Sequence, residues 1–231
     1  MYRELKERAF EANLALPRLG LVIYTFGNVS AADRRLGVFA IKPSGVPYDQ
    51  LTAADMVVLD FAGKVVEGKL RPSSDAPTHA ALYRHFDAPG GIVHTHSTFA
   101  TAWAQALRPI PVYGTTHADH LASEVPCTGL ISDAALKRDY ETGTGELIVE
   151  TFRRRGLDPA VTPMVLVGGH GPFTWGEDAD QAVYHSRVLE ELAEMALLTE
   201  AVNSETPVLK SSIIQKHFNR KHGKDAYYGQ K

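Results

Sequence analysis

Gly90-Gly-Ile-Val-His-Thr-His-Ser97 joins a short run of small and branched apolar residues to two histidines one residue apart. A buried strand that delivers polar groups at its end has this pattern. Side chains at i and i+2 of a strand share a face, so His94 and His96 leave the backbone in the same direction from points roughly 6.5 Å apart. Two imidazoles so placed suit one shared cation, with Zn–N distances of about 2.0–2.1 Å. They equally suit hydrogen bonding at a sheet rim, and a third donor elsewhere decides between the two. Met164-Val-Leu-Val-Gly-Gly-His-Gly-Pro172 supplies it, a second apolar strand ending in a histidine, His170, with glycines that permit close backbone approach. Three protein donors and an open position are the set of a catalytic rather than a structural zinc. Asp75 would complete that shell or activate what binds there.

Around these strands the chain of 231 residues, 44% of them hydrophobic, is expected to form one domain over residues 1–231 with a substantial core. Its formal charge of −3 comes from well-mixed signs, which predicts neither a nucleic-acid face nor a membrane surface. The single cysteine, Cys127, closes no intrachain disulfide and reads as a small apolar side chain of a reducing compartment. Arg3, Glu4, Lys6, Glu7 and Arg8 open the chain without a signal-peptide pattern, and no apolar run reaches a membrane span, so a cytoplasmic location is expected.

With no basic face, an anionic ligand has to be held by a local pocket, and three segments offer one. Gly27 and Asn28 allow a tight turn with exposed amides, and Lys42-Pro-Ser-Gly45 sets a cation, the Ser44 hydroxyl and the flexible Gly45 at a strand end. Ser73 and Ser74 precede a helix start with Pro77 in its first turn, a good phosphate seat. Each is also an ordinary turn, and Asp75 has an ordinary reading as the helix N-cap. Taken together with Lys42 they make an anion site for a phosphorylated metabolite.

The remaining pattern predicts an amphipathic helix over residues 2–16 stopped by Pro17, and strands at 21–24, 37–41, 56–59 and 64–67, the last two joined by a hairpin at Gly63. A short capped turn is expected at Thr52-Ala-Ala-Asp55. Helices are expected at 99–107, 132–140, 146–155, 178–203 and 208–222, the middle pair interrupted by Gly143 and Gly145. Such a mixture gives an α/β or α+β class with a mixed or mostly antiparallel sheet, and no Gly-x-Gly-x-x-Gly follows a first strand, which argues against a dinucleotide fold. Thr115-Thr-His-Ala-Asp-His120 concentrates three ionisable groups in four residues.

Gly27-Asn-Val-Ser30, Ile41-Lys-Pro-Ser-Gly45, Pro72-Ser-Ser-Asp75, His94-Thr-His96, Gly114-Thr-Thr-His-Ala-Asp119, His170-Gly-Pro172 and Ala226-Tyr-Tyr-Gly-Gln230 together resemble, in order, the class II aldolase/adducin-type family. The resemblance implies a three-layer α/β/α fold with a largely antiparallel central sheet, assembled as a homotetramer with active sites between subunits. It implies a zinc site, with manganese or cobalt as alternatives, made by His94, His96 and His170 with Asp75 on or beside the metal. It implies a phosphorylated ketopentose as substrate, its phosphate held by Gly27, Asn28, Lys42, Ser44, Gly45, Ser73 and Ser74. The implied reaction is cleavage of a C–C bond and re-addition to the opposite carbonyl face, an epimerisation. Attack on two faces needs proton-transfer groups on two sides. By similarity these are Asp119 and Tyr228, the tyrosine from an adjacent subunit with His217 near it. The family's sugar-phosphate aldolases, which stop after cleavage, carry glutamate where Asp75 stands. His120 follows Asp119 where the family often has an aromatic residue, and packing is its expected role. Non-catalytic adducin-type binding modules would be expected to lose the three histidines, and a zinc hydrolase would leave Lys42, the serine loops and the tail without a purpose.

Overall fold

In a computed structural model that describes residues 1–224 and 226–228, alternation along the strands divides the apolar side chains between two faces of one sheet. The elements in chain order are α1 (Arg3–Arg18), β1 (Asn28–Asp33), β2 (Val38–Ile41), β3 (Val57–Asp60), β4 (Val65–Glu67), α2 (Ala76–His85), β5 (Gly91–His94), α3 (Thr98–Gln105), α4 (Thr115–Ala118), α5 (Asp133–Arg138), α6 (Tyr140–Arg155), β6 (Met164–Val167), β7 (Gly171–Gly176), α7 (Ala179–Val202) and α8 (Ser211–His222). The seven strands lie in the order β4-β3-β2-β1-β5-β7-β6, each pair antiparallel.

Phe39, Ile41, Val57, Leu59, Ile92, Val165, Phe173 and Trp175 meet α2 and α6 on one face. Val29, Ala31, Val38, Ala40, Val58 and Val93 meet α1 and the start of α7 on the other. The result is the expected α/β/α sandwich, with both faces of the sheet covered except at the exposed edge strand β4. None of the described helices is long and apolar enough to cross a membrane. The motif residues Gly229 and Gln230 lie outside the described residues.

Three local expectations are corrected. Residues 21–24 form no strand: Leu21 is buried, but Ile23 and Tyr24 are exposed, Tyr24 has φ 52°, and the first strand begins only at Asn28. Helix α1 continues through Pro17 to Arg18, because a proline in the last turn removes a single hydrogen bond near an end that Leu19 N–H closes on Ala15 O. Helix α6 likewise runs through both glycines. A Cβ at position 145 would stand 2.6 Å from Ala81 Cβ and 3.1 Å from Thr78 O, so this glycine lets α6 lie against α2 rather than breaking it. The capping box at Thr52 and Asp55 forms as expected. Cys127 is half-buried among apolar neighbours, which pushes its thiol up to about 11.

Candidate metal and anion site

The ladder places the histidines. In register, Asn28 faces His94 across β1 and β5, and His94 faces Phe173 across β5 and β7, so all three stand at one end of the sheet. Strand β5 ends at His94, and His96 lies just beyond it, where Thr95 N–H still donates to Pro172 O at 3.4 Å. Glu190, from the middle of α7, accepts the Phe99 and Ala100 N–H groups at 2.8 and 2.9 Å and so pins the helix that follows.

The donor nitrogens of His94, His96 and His170 lie within 4.8 Å of one another. The ring centroids form a nearly equilateral triangle with sides of 4.9, 4.7 and 5.0 Å. His94 stacks on Phe173 at 4.2 Å, and its Nδ1 donates to Pro172 O at 3.0 Å, which leaves Nε2 with a free lone pair. That Nε2 is 3.1 Å from His96 Nε2, close to the separation of about 3.3 Å expected for two ligands of a tetrahedral ion. His170 Nδ1 is buried without a hydrogen-bond partner among the described residues. Burial, with His94 and His96 alongside, pushes His170 down to about 4. Burial and then His94 lower His96 as well. Neutral imidazoles are what a divalent ion requires. Gly171 makes room for them, since a Cβ there would stand 2.8 Å from Thr95 O and 3.2 Å from His96 Cδ2. The donor set fits a zinc-type ion.

Asp75 takes the N-cap position of α2, yet its carboxylate makes no capping hydrogen bond. Its Oδ2 instead accepts from Asn28 Nδ2 at 2.7 Å. Burial alone would raise this carboxyl, but His94, His79, the Asn28 hydrogen bond and His170 outweigh it and hold it below its ordinary range. Asp75 faces the histidine cavity while lying outside the convergent nitrogen set.

That cavity, of about 430 Å³, is lined by all four residues named for the metal and by Gly27, Asn28, Lys42, Ser44, Gly45, Ser73 and Ser74. Gly27 has φ +74°, and a Cβ on it would meet Val22 Cγ1 at 2.6 Å and His94 O at 3.0 Å. Tyr48 buttresses the same loop by donating from its hydroxyl to the Phe26 and Gly27 carbonyls at 2.9 and 3.0 Å. Lys42 is buried, with 2% of its surface exposed. Its ammonium stands 4.9 Å from the Tyr48 ring centroid and reaches only Pro43 O, at 3.5 Å. No carboxylate pairs with it among the described residues, and a buried cation without a partner is a candidate to receive an anion.

Asp119, His217 and Tyr228 come together elsewhere, and none of them lines this cavity of their own chain. Asp119 Oδ1 accepts from His217 Nδ1 at 3.0 Å, and Arg220 bridges Asp119 to the Tyr228 ring. His120 packs by Tyr184 at 5.8 Å. The sequence reading missed Phe26, Tyr140 and Glu141, which line the histidine cavity, and Arg220; Tyr140 lies 5.8 Å from His170, across a contact no local spacing announces.

Fold and site together define an α/β/α protein with a candidate three-histidine metal centre and a candidate anion seat in one cavity. Residues 7–197 match the class II aldolase and adducin N-terminal domain family, and the chain belongs to it. Among solved structures it is similar to an L-fuculose 1-phosphate aldolase, at 24% identity and a TM-score of 0.78 over 94% of this chain and 95% of that one. It is similar to the L-fuculose-1-phosphate aldolase of Thermus thermophilus at 24% identity and a TM-score of 0.64, over 90% and 100% of the two chains. YgbL from Klebsiella pneumoniae, assigned only broadly as aldolase/epimerase/decarboxylase, matches at 22% identity and a TM-score of 0.71 over 94% and 98%. At these identities the likeness is one of fold.

Proposed function

We propose that this protein is an L-ribulose-5-phosphate 4-epimerase, interconverting L-ribulose 5-phosphate and D-xylulose 5-phosphate by cleaving and remaking the C3–C4 bond. One observation carries it: a single cavity holds the convergent histidines, the serine loops and the buried Lys42, which has no carboxylate partner among the described residues. His94, His96 and His170, with Asp75 on or beside them, would hold zinc, or manganese or cobalt in the same donor set. Such an ion supplies a Lewis acid for negative charge developing on the ketose oxygens, worth several kcal/mol.

The residues of the chain do the rest. Lys42, with the hydroxyls of Ser44, Ser73 and Ser74 and the turns at Gly27, Asn28 and Gly45, holds the phosphate end. One proton-transfer group takes the C4 hydroxyl proton as the C3–C4 bond breaks, leaving a dihydroxyacetone fragment and glycolaldehyde phosphate. The aldehyde turns over while its phosphate stays seated, the bond re-forms on the other carbonyl face, and the second group returns a proton to the new C4 oxygen. Asp119 and Tyr228 take these two roles, with His217 beside Asp119. Since this cluster does not line the cavity of its own chain, a neighbouring subunit delivers it, in a homotetramer with active sites between copies.

A class II sugar-phosphate aldolase of the fuculose- or rhamnulose-phosphate type is the second reading, favoured by the fuculose-phosphate aldolases among the similar structures. Asp75, shorter than the glutamate base of those enzymes, and the Asp119 cluster favour epimerisation. Incubation of the purified protein with L-ribulose 5-phosphate and, separately, with L-fuculose 1-phosphate, followed by NMR, separates them: D-xylulose 5-phosphate from the first is expected, free dihydroxyacetone from the first or dihydroxyacetone phosphate from the second would mean an aldolase, and turnover of neither would favour the adducin-type binding modules.

Lys42→Met tests the anion seat. The KM is expected to rise about tenfold to a hundredfold, the worth of a charge-assisted hydrogen bond, while the melting temperature holds or rises because an unpaired buried charge is gone. Burial lowers Lys42 to about 8, so the wild-type KM should climb above pH 8 as the ammonium loses its proton. Stability moves the other way: the unfolded chain keeps this proton up to about 10.4, so folding gains from rising pH in between. A pH-independent KM in wild type, or an unchanged KM in Lys42→Met, would remove Lys42 from the phosphate.

A further inference from the structure

Arg220, on α8, touches both groups assigned to proton transfer. Its Nε donates to Asp119 Oδ1 at 2.9 Å and its Nη2 to Asp119 Oδ2 at 2.6 Å, a two-point grip that fixes the plane of the carboxylate. Its guanidinium carbon stands 4.6 Å from the centre of the Tyr228 ring. Its backbone carbonyl accepts the N–H groups of Tyr227 and Tyr228 at 3.0 and 3.2 Å. One residue thus joins the segment after α4 to the tail after α8 through both its side chain and its backbone.

We propose that Arg220 is the positioning residue that locks Asp119 and Tyr228 into one proton-transfer unit of fixed geometry. The catalytic meaning rests on the epimerase reading; the coupling does not. An arginine is needed because a planar fork can grip a carboxylate edge-on while its face covers a ring, whereas a lysine offers a point charge. Other charged or titratable groups also face Asp119: His217 and Lys221 from α8, at 3.0 and 3.8 Å, His222 on its backbone carbonyl at 3.0 Å, and His120 next to it in the chain. They supply charge without the fork. Lys221 also lies 4.7 Å from the Tyr228 ring centre. Burial would raise the Asp119 carboxyl, but the hydrogen bonds from Arg220 and His217 hold it below its ordinary range.

The test compares Arg220→Met and Arg220→Lys with the wild-type oligomer. In Arg220→Met, kcat should fall about a hundredfold with KM nearly unchanged, the loss expected of a reacting group misplaced by about 1 Å. The Asp119 carboxyl resonance should titrate at higher pH, and chymotrypsin should cut after Tyr227 and Tyr228 faster. Arg220→Lys should restore the carboxyl titration without restoring kcat. Wild-type kcat in a folded Arg220→Met, or unchanged tail cleavage, overturns the proposal. Should the methionine variant not fold, Arg220→Lys decides: a lowered kcat at constant KM supports the lock, and wild-type kcat overturns it. If the wild-type protein fails to epimerise, the functional reading falls, while the carboxyl titration and the cleavage rates still report on the coupling.

Discussion

His96→Ala is expected to lose its bound metal and to turn over about a thousandfold more slowly than wild type, because several kcal/mol of charge stabilisation disappear at 1.36 kcal/mol per decade. Its melting temperature should stay within a few degrees. His96 is the most open of the three rings, it sits beyond the last ladder residue of β5, and among the described residues its Nε2 has one hydrogen-bonding neighbour, His94 Nε2. Truncating it therefore removes a donor and little packing. His94→Ala makes the contrast, since it also deletes the hydrogen bond to Pro172 O and the face stacked on Phe173, and should lower stability as well as metal content. Elemental analysis alongside turnover checks both. Equimolar metal and near-native rates in His96→Ala would show that the triad is not the metal centre.

How much of this was legible depends on how far each contact reaches along the chain. The strand that ends at His94 and the one that leads into the turn holding His170 announce themselves by continuous apolar runs, the pattern of a strand buried on both faces, and both are fully buried. The anion loops were legible too, through residue types suited to turns and phosphate. The glycines beside His170 were read as allowing close approach, and Gly171 does so, with Thr95 O and the His96 ring against the place of its Cβ. Gly145 was read as a break and instead admits α2; nothing local marks it for that use, because the atom that would clash lies dozens of residues away. Asp75 carried two readings, a carboxylate at the metal site and a helix cap; it stands at the cap position, but its carboxylate makes no capping bond and accepts from Asn28 beside the histidine cavity. Arg220 was hidden in a basic tail because its partner, Asp119, is 101 residues distant.

Gly91→Ala should damage the fold severely for the addition of a single methyl group. Gly91 opens β5, paired with Ala31 on one side and Gly176 on the other, and the first turn of α7 rests directly on it. A Cβ would stand 2.4 Å from Ala179 Cα, 2.5 Å from Ala179 N and 2.6 Å from the Asp178 carbonyl carbon. All three are backbone atoms, so no side chain can swing aside. The strand cannot retreat either, being hydrogen-bonded to both neighbours, and α7 is tied to β7 by the Thr174 hydroxyl, which donates to Ala182 O at 2.9 Å. Overpacking commonly costs about 1–3 kcal/mol. With backbone on both sides of the clash, a loss of about 4 kcal/mol or more is expected in urea unfolding. Gly129→Ala is the control, for it has open space around it and should change stability by less than about 0.5 kcal/mol. If the two variants unfolded alike, the contact of β5 with α7 would not be as close as described. Any Gly91→Ala protein that survives should also bind metal more weakly, because His94 lies three residues along the strand that has been pushed.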